Sequence, residues 1–356
     1  MQVPVIDNFE LHHGKKRAYL LVASVTCSAA MFAGLYCLAE QPASKTHVEG
    51  KAVIAFGGDV MVPADVGEAE TAKFLSGLAG TFSKADAAFV NLEGPIGGNP
   101  EDAKNCDSED CHLLQQSPWI AQSLARIGVK VVSVANNHTR DMGASGVAST
   151  NAALARAGIK PAGRLKGNTA VLEFGGMRIA FLGFACFNGV PDLRAQDSAL
   201  THIREAKANY DAVVVSIHAG CEGEDLGIIP KGDELCFGEN RGNTKRFARA
   251  AADAGATIVV GHGPHVPRGW EVWKGVPIFY SLGNLATGEG IRVWGKSALA
   301  PVILATLQRN EHGSVQVAAY DIVSFKQKNG MGPKLDPRGA AKIEMIALST
   351  SLGDSD

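Results

Sequence analysis

The run Val129-Lys130-Val131-Val132-Ser133-Val134-Ala135 stops abruptly on Asn136-Asn137-His138-Thr139-Arg140-Asp141-Met142-Gly143. β-Branched residues pack well on a pleated sheet, so the run predicts a buried strand. Asn and His tolerate the backbone of a tight turn. A helix is expected beyond it, over 148–157. The carboxamide of Asn137, the imidazole of His138 and the carboxylate of Asp141 then stand just past the C-terminal end of a strand. In open α/β sheets, ligands bind at that edge. A plain polar turn explains this junction equally well when it is taken alone.

Further junctions repeat the pattern. The strand 52–56 ends in Gly57-Gly58-Asp59, where two glycines let the backbone turn sharply before a carboxylate. The strand 87–90 ends in Asn91-Leu92-Glu93-Gly94-Pro95. The strand 212–217 ends in His218-Ala219-Gly220-Cys221-Glu222. The strand 256–260 ends in Gly261-His262-Gly263-Pro264-His265, and the strand 276–280 in Ser281-Leu282-Gly283-Asn284. Two imidazoles across one Gly-Pro turn favour zinc or another transition metal. Asp59, Glu93, Asn137, His138, His218, His262 and His265 therefore form one inventory of seven N/O ligand types at strand ends, with Asn136, Glu222 and Asn284 as candidates to face a substrate. Nitrogen and oxygen donors of this kind suit Mn, Fe, Zn or Mg, as one or two ions. An ordinary loop acid, a satisfied core histidine or a turn asparagine is the bland account of each taken singly. The strands alternate with helices expected over 69–82, 118–127, 199–209 and 244–254, which reads as an α/β fold.

Residues 1–17 are polar and end in Lys15-Lys16-Arg17, and 18–39 carry no charge. About 20 apolar residues span a bilayer. Positive charge on the N-terminal side predicts a cytoplasmic N-terminus and an extracytoplasmic main domain. A cleaved signal peptide is the rival, but the polar segment and the span are both long for one. Residues 40–50 read as a linker, 51–290 as the main domain, 291–348 as strands and a loop completing it, and 349–356 as a tail. Outside the cytosol cysteines can oxidise. Cys106 and Cys111 bracket a polar loop and are candidates for a local disulfide, and Cys221 and Cys236 for a second. Cys186 sits in an apolar strand and reads as a buried free thiol. Five free thiols are the alternative, because sequence does not fix connectivity. Net charge is −2, which gives no electrostatic case for nucleic acid as a partner. In the C-terminal part, 301–307 and 315–323 read as a closing hairpin of a second sheet, and 326–340 as a surface loop.

Gly-Gly-Asp, Asn-Leu-Glu-Gly-Pro, Ala-Asn-Asn-His-x-x-Asp-x-Gly, His-x-Gly-x-Glu, Gly-His-Gly-Pro-His-Val and Tyr-Ser-Leu-Gly-Asn, in this order over 51–290, resemble the CapA (PgsA) proteins of bacterial poly-γ-glutamate capsule biosynthesis. That family is similar to the calcineurin-like metallophosphoesterases. The resemblance implies a four-layer αββα sandwich of two mixed sheets behind one N-terminal transmembrane helix. It also implies a metal pair at the strand ends, where two ions about 3.5–4 Å apart act on a phosphoryl group. Carried over, Asp59, Glu93, Asn137, His218, His262 and His265 would hold metal. His138 would be the general acid or stabilise transition-state charge, with Asp141 orienting it. The chain departs from the phosphoesterase pattern at Met61, where a ligand His is usual, at Glu93, where Asp is usual, and at Asp141, which lies three residues beyond His138 rather than next to it. Two functions fit the resemblance. One is a membrane-anchored hydrolase of a phosphoester or γ-glutamyl bond. The other is a non-catalytic subunit of a polyglutamate synthase and export complex. No Gly-x-x-x-x-Gly-Lys-[Ser/Thr] loop is present, so ATP-dependent ligation falls to other membrane subunits.

Overall fold

The computed structural model describes residues 48–106, 111–288 and 293–352. The expected anchor 18–39, the polar segment 1–17 and most of the linker lie outside the described residues. Among the described residues no helix is long and apolar enough to cross a membrane.

The first half of the chain runs β1 (Lys51–Met61), α1 (Glu68–Leu75), α2 (Ala79–Phe82), β2 (Ala87–Leu92), α3 (Ile120–Arg126), β3 (Val129–Ser133), α4 (Gly143–Arg156) and β4 (Lys160–Ala162). The hairpin β5 (Ala170–Phe174) and β6 (Met177–Ala185) follows, then α5 (Gln196–Asn209), β7 (Ala212–His218) and the short pair β8 (Leu235–Cys236) and β9 (Glu239–Asn240). The chain continues through α6 (Thr244–Asp253), β10 (Ile258–His262), β11 (Trp270–Trp273), β12 (Val276–Phe279) and β13 (Asn284–Thr287). It closes with β14 (Leu299–Arg309), β15 (Val315–Lys328), β16 (Met331–Leu335) and α7 (Ala340–Thr350).

These strands form an eight-stranded sheet, ordered β16-β15-β14-β1-β2-β3-β4 with β13 also pairing β1, and a six-stranded sheet, ordered β11-β12-β10-β7-β6-β5. Both are mixed: β1, β2, β3 and β4 run parallel, while β14 is antiparallel to β1. Period-two alternation sorts the side chains into three apolar layers. Ala52, Ile54 and Phe56 of β1, Phe89 of β2, Val214 of β7 and Val260 of β10 fill the layer between the sheets. Ala55, Val90 and Leu92 pack outward against Leu75, Phe82, Leu124 and Leu154 of the helices over the large sheet. Val213, Val215 and Val259 pack outward against Ile203 and Phe247 over the small one. Helices, sheet, sheet and helices make the four layers.

One break in the alternation matters for function. Phe56 faces the inter-sheet layer, but Val60, also an even position, faces the helices. The β1–β2 register shifts between Phe56 and Asp59. A single extra residue reverses every side chain beyond it, so Asp59 turns toward the space between the sheets. Gly57-Gly58 permits this: a Cβ on Gly58 would lie 2.0 Å from the carbonyl oxygen of Gly283.

Three expectations are corrected. The hairpin over 301–323 does not close a second sheet; β14 pairs directly with β1 in the large sheet, residue Phe56 opposite Ile303. The stretch 326–340 is not a loop, because β15 runs on to Lys328 and turns through Asn329-Gly330 into β16. Gly330 has a φ of +66°, the left-handed backbone that a tight Asn-Gly connection uses. Helix α4 begins at Gly143 rather than near 148, which places Asp141 immediately before its first turn.

Candidate metal and catalytic centre

The inter-sheet layer is apolar along most of its length and polar at one end. Continuing the same faces past Phe89, Val214 and Val260 brings Asn91 and Glu93 from β2, His218 from β7 and His262 from β10 to that end, with Asp59 turned in by the bulge. All five are almost fully buried. Gly261, one residue before His262, lies so close to β12 that a Cβ would meet the Tyr280 carbonyl oxygen at 2.0 Å.

The donor atoms converge. His262 Nδ1 lies 3.4 Å from Asp59 Oδ1, and His265 Nδ1 lies 3.2 Å from Asp59 Oδ2. His265 Nε2 is 3.5 Å from Glu93 Oε1, and His218 Nε2 is 3.8 Å from the same oxygen. Asp59, Glu93 and His265 each offer an atom within 4.8 Å of the others. Many of these atoms lack a hydrogen-bond partner: Asp59 Oδ2, Glu93 Oε1, His218 Nε2 and both ring nitrogens of His262 are buried and unbonded, and so is Asn137 Oδ1 on the loop after β3. An unsatisfied buried polar atom costs about 1–3 kcal/mol. A set of carboxylate oxygens and imidazole nitrogens, gathered and left unbonded, fits a borderline divalent cation. His265 is held with φ +60°, a left-handed conformation uncommon for a side chain other than glycine. Its Nδ1 also donates to Asn284 Oδ1 at 3.0 Å.

Electrostatics follow from this crowding. Burial drives the Glu93 carboxyl well above the usual range, and the carboxylates of Asp59 and Glu222 push it the same way while His265 opposes them. Burial also raises Asp59, but the imidazoles of His262 and His265 beside it outweigh burial and hold its carboxyl low. Burial drives His218 well below the ordinary imidazole value. It disfavours charge on His265 too, yet Glu93, Asp59 and Glu222 together lift that imidazole well above its ordinary value.

A second set of bonds fixes the loop after β3. Asn136, read from sequence as substrate-facing, has both ends of its amide engaged inside the protein. Its Nδ2 donates to Asn91 Oδ1 at 3.1 Å and to the Leu92 carbonyl at 2.9 Å, and its Oδ1 accepts from the His138 amide at 3.1 Å. His138 Nδ1 donates to Asp141 Oδ2 at 2.7 Å. The same carboxylate accepts from the Leu114 amide at 2.8 Å and pairs with Lys104 Nζ at 2.6 Å. Asp141 therefore fixes the His138 tautomer and leaves Nε2 to exchange a proton. Burial pulls the His138 imidazole below its ordinary value, against the pull of Asp141. Glu222 gives one oxygen to Arg241 at 2.6 Å and turns the other toward His265 Nε2 at 3.8 Å. Asn284 bonds His265 and the Ser297 carbonyl. Asn137 is half-buried beside His138.

Sequence reading passed over two residues here. Asn91 donates to Asp59 Oδ1 at 2.8 Å and sits 3.3 Å from His218 Nδ1. Its signal was available, since it lies two residues before Glu93 and so on the same face. Lys104 belongs to an irregular loop and had no such signal. The cysteines form Cys106–Cys111 and Cys221–Cys236 disulfides, and Cys186 is free and buried, its thiol pushed up to about 12.

The family profile described as "Bacterial capsule synthesis protein PGA_cap" matches residues 53–289, two thirds of the chain. The chain belongs to this family. The matched span holds all of the clustered residues described above. Among curated relatives, the chain is similar to the PGA biosynthesis protein CapA of Bacillus subtilis, 28% identical over 329 residues, covering 86% of this chain and 82% of that one. It is also similar to the capsule biosynthesis protein CapA of Bacillus anthracis, 30% identical over 261 residues, covering 68% of this chain and 59% of that one. Among solved structures, the calcineurin-like phosphoesterase YfkN of Bacillus subtilis aligns with a TM-score of 0.46 at 14% identity, over 85% of this chain and 99% of that one.

Proposed function

We propose that this capsule-synthesis family member is a membrane-anchored, extracytoplasmic hydrolase that depends on one or two divalent ions and cuts a phosphoester or γ-glutamyl bond during polyglutamate production. The observation that supports this most is the group of unbonded donor atoms on Asp59, Glu93, His218 and His262, buried together at the strand ends. A purely structural cluster would pair these atoms with one another or with backbone.

Asp59, Glu93, His218, His262 and His265 would hold the ions, with Asn137 Oδ1 as a further donor. Bound there, a divalent cation supplies Lewis-acid polarisation and neutralises developing negative charge. The chain's own residues supply the rest. His138, its Nδ1 proton fixed on Asp141, delivers a proton from Nε2 to the leaving oxygen or nitrogen. Asn91 and Asn284 hold Asp59 and His265 in place through their amides. Glu222, locked by Arg241, sets a negative edge to the cluster. The substrate would come from, and the product return to, other membrane subunits that carry out the ATP-dependent ligation.

The test is elemental analysis of the full chain purified in detergent, beside a His262→Ala/His265→Ala double variant and a phosphodiester and γ-glutamyl peptide assay. The expected result is metal bound in the parent chain, with metal and turnover lost together in the variant. Metal near zero in a folded parent chain would overturn the hydrolase reading and leave a non-catalytic subunit of the synthase complex.

A further inference from the structure

On the far side of the same loops lies a separate cavity of about 230 Å³. It shares walls with the cluster: Leu92 and Gly94 flank Glu93, and Val134 and Thr139 bracket the segment that carries Asn136 and His138. Its lining includes three aliphatic side chains, Val134 buried at the inner end, Val147 half-buried and Leu165 exposed at the mouth. The charged groups that line it are Arg140, Arg164 and Lys166, and no carboxylate lines it. Arg164 Nε is buried and has no hydrogen-bond partner. The Arg140 stem is seated against Gly189, where a Cβ would lie 2.3 Å from Arg140 Cδ. Arg140 and Lys166 are exposed and solvated, so the cost that an anion would relieve is that of the buried, unbonded Arg164 Nε.

The shape narrows the anion. Pockets for drug-sized ligands run to about 300–1,000 Å³, so this one suits a single amino-acid-sized group. No aromatic side chain lines it, so a nucleobase would find no stacking face. Aliphatic walls under a cationic rim match a short methylene stem that ends in a carboxylate. We propose that the cavity is a subsite for one carboxylate-bearing residue of an acidic polyamide, with Arg140, Arg164 and Lys166 holding the carboxylate and Val134 and Leu165 holding its stem. The proposal rests on the reading of the strand-end cluster as the reacting centre. It adds that the substrate chain lies across the Glu93 and Asn136 loops, one residue anchored on the far side.

Calorimetric titration of the full chain with γ-linked triglutamate tests this, against its carboxamide analogue and inorganic phosphate. An Arg164→Gln/Lys166→Gln variant should bind triglutamate about a hundredfold more weakly, and Arg140→Gln about tenfold, at roughly one factor of ten per charge-assisted bond. Lys166 is exposed, so Lys166→Gln alone keeps the fold and should still weaken binding. The carboxamide should not bind to the parent chain, and phosphate should not displace triglutamate. Equal affinity in parent and cavity variants, with native circular dichroism, overturns the subsite. Displacement by phosphate at the same concentration overturns it in favour of a simple oxyanion pocket. An Asp59→Asn variant separates the two readings, since it should lose metal while keeping cavity-dependent binding. A parent chain that holds no metal yet binds triglutamate through Arg164 and Lys166 would sink the hydrolase reading and leave the subsite standing.

Discussion

Two buried ionic clusters lie one residue apart in this protein, and they are built in opposite ways. Arg268 is fully buried and Glu234 nearly so. They pair through two bonds, 2.8 and 2.7 Å, in the fork geometry that Arg and carboxylate share. Arg268 Nε donates to the Leu226 carbonyl at 3.0 Å, and Glu234 also accepts from the Cys221 amide and from Thr244 Oγ1, both at 2.9 Å. Neither residue is left with an unbonded buried atom. The strand-end cluster is left with several. The next residue after Cys221 is Glu222, whose free oxygen faces His265. The finished cluster thus sets the loop that borders the unfinished one. A buried charge that is fully bonded stabilises a loop; one left unbonded awaits a ligand that the chain does not contain.

The largest expected effect breaks the finished cluster. Arg268→Met leaves Glu234 buried without its partner and should destabilise the fold by about 3–5 kcal/mol, read from urea unfolding at pH 7. A loss below about 1 kcal/mol would remove the structural role assigned to the pair. In metal-free protein, Glu93→Gln should act in the opposite direction. It replaces a buried carboxyl that has an unbonded oxygen, and should stabilise by about 1 kcal/mol at pH 8. Destabilisation of the size seen for Arg268→Met would show that the two clusters are alike after all.

Opposite pH slopes sharpen the comparison. Glu234 sits below its ordinary value of 4.5: burial raises it, but the bonds from Arg268 win. Its stabilisation is present above about pH 4.5 and fades as pH falls through the folded value. Glu93 is raised above 4.5 and His265 above 6.5. For both, the folded chain binds more protons than the unfolded one, so their contribution falls as pH rises through the folded values. Metal-free protein should therefore lose stability above about pH 4.5 through Glu93 and above about pH 6.5 through His265, and a divalent ion should abolish that loss, since ligands must be deprotonated to bind. Thermal unfolding at pH 6 and pH 8, with and without Mn or Zn, checks this. A flat profile in metal-free protein would break the link between the unbonded atoms and an ion.

The strand-end residues were legible because strands impose a period of two. His218, Glu93 and His262 each follow a β-branched run, and the runs fix which face they share. Asn91 obeyed the same rule and was passed over only because Glu93, the stronger donor, stood beside it. Asp59 was legible as a residue but not in its direction, which depends on the bulge at Gly57-Gly58. Long-range partners left no local trace. Nothing near Arg268 in sequence names Glu234, and nothing near Asp141 names Lys104. The register of β16 was written in Asn329-Gly330, a turn signal outweighed by the polar residues around it.

Lys104 gives the smallest expected effect. Its side chain is 32% exposed while Asp141 is fully buried, so solvent weakens the pair and Lys104→Met should cost less than about 1 kcal/mol of stability. Its influence reaches His138 instead. Burial is the main cause of the lowered His138 value, and the Lys104 charge pushes the same way. Removing that charge should move the His138 titration upward toward 6.5, read by NMR of the imidazole C–H signals. It should also shift the alkaline limb of the pH–rate profile in the same direction, since a general acid is lost as pH rises through its value, with turnover reduced about tenfold as Asp141 loses a partner. Lys104→Arg keeps the charge and should restore both. If His138 titrates unchanged in Lys104→Met while the fold is intact, Lys104 only tethers the disulfide loop, and Asp141 orients the imidazole without help from that loop.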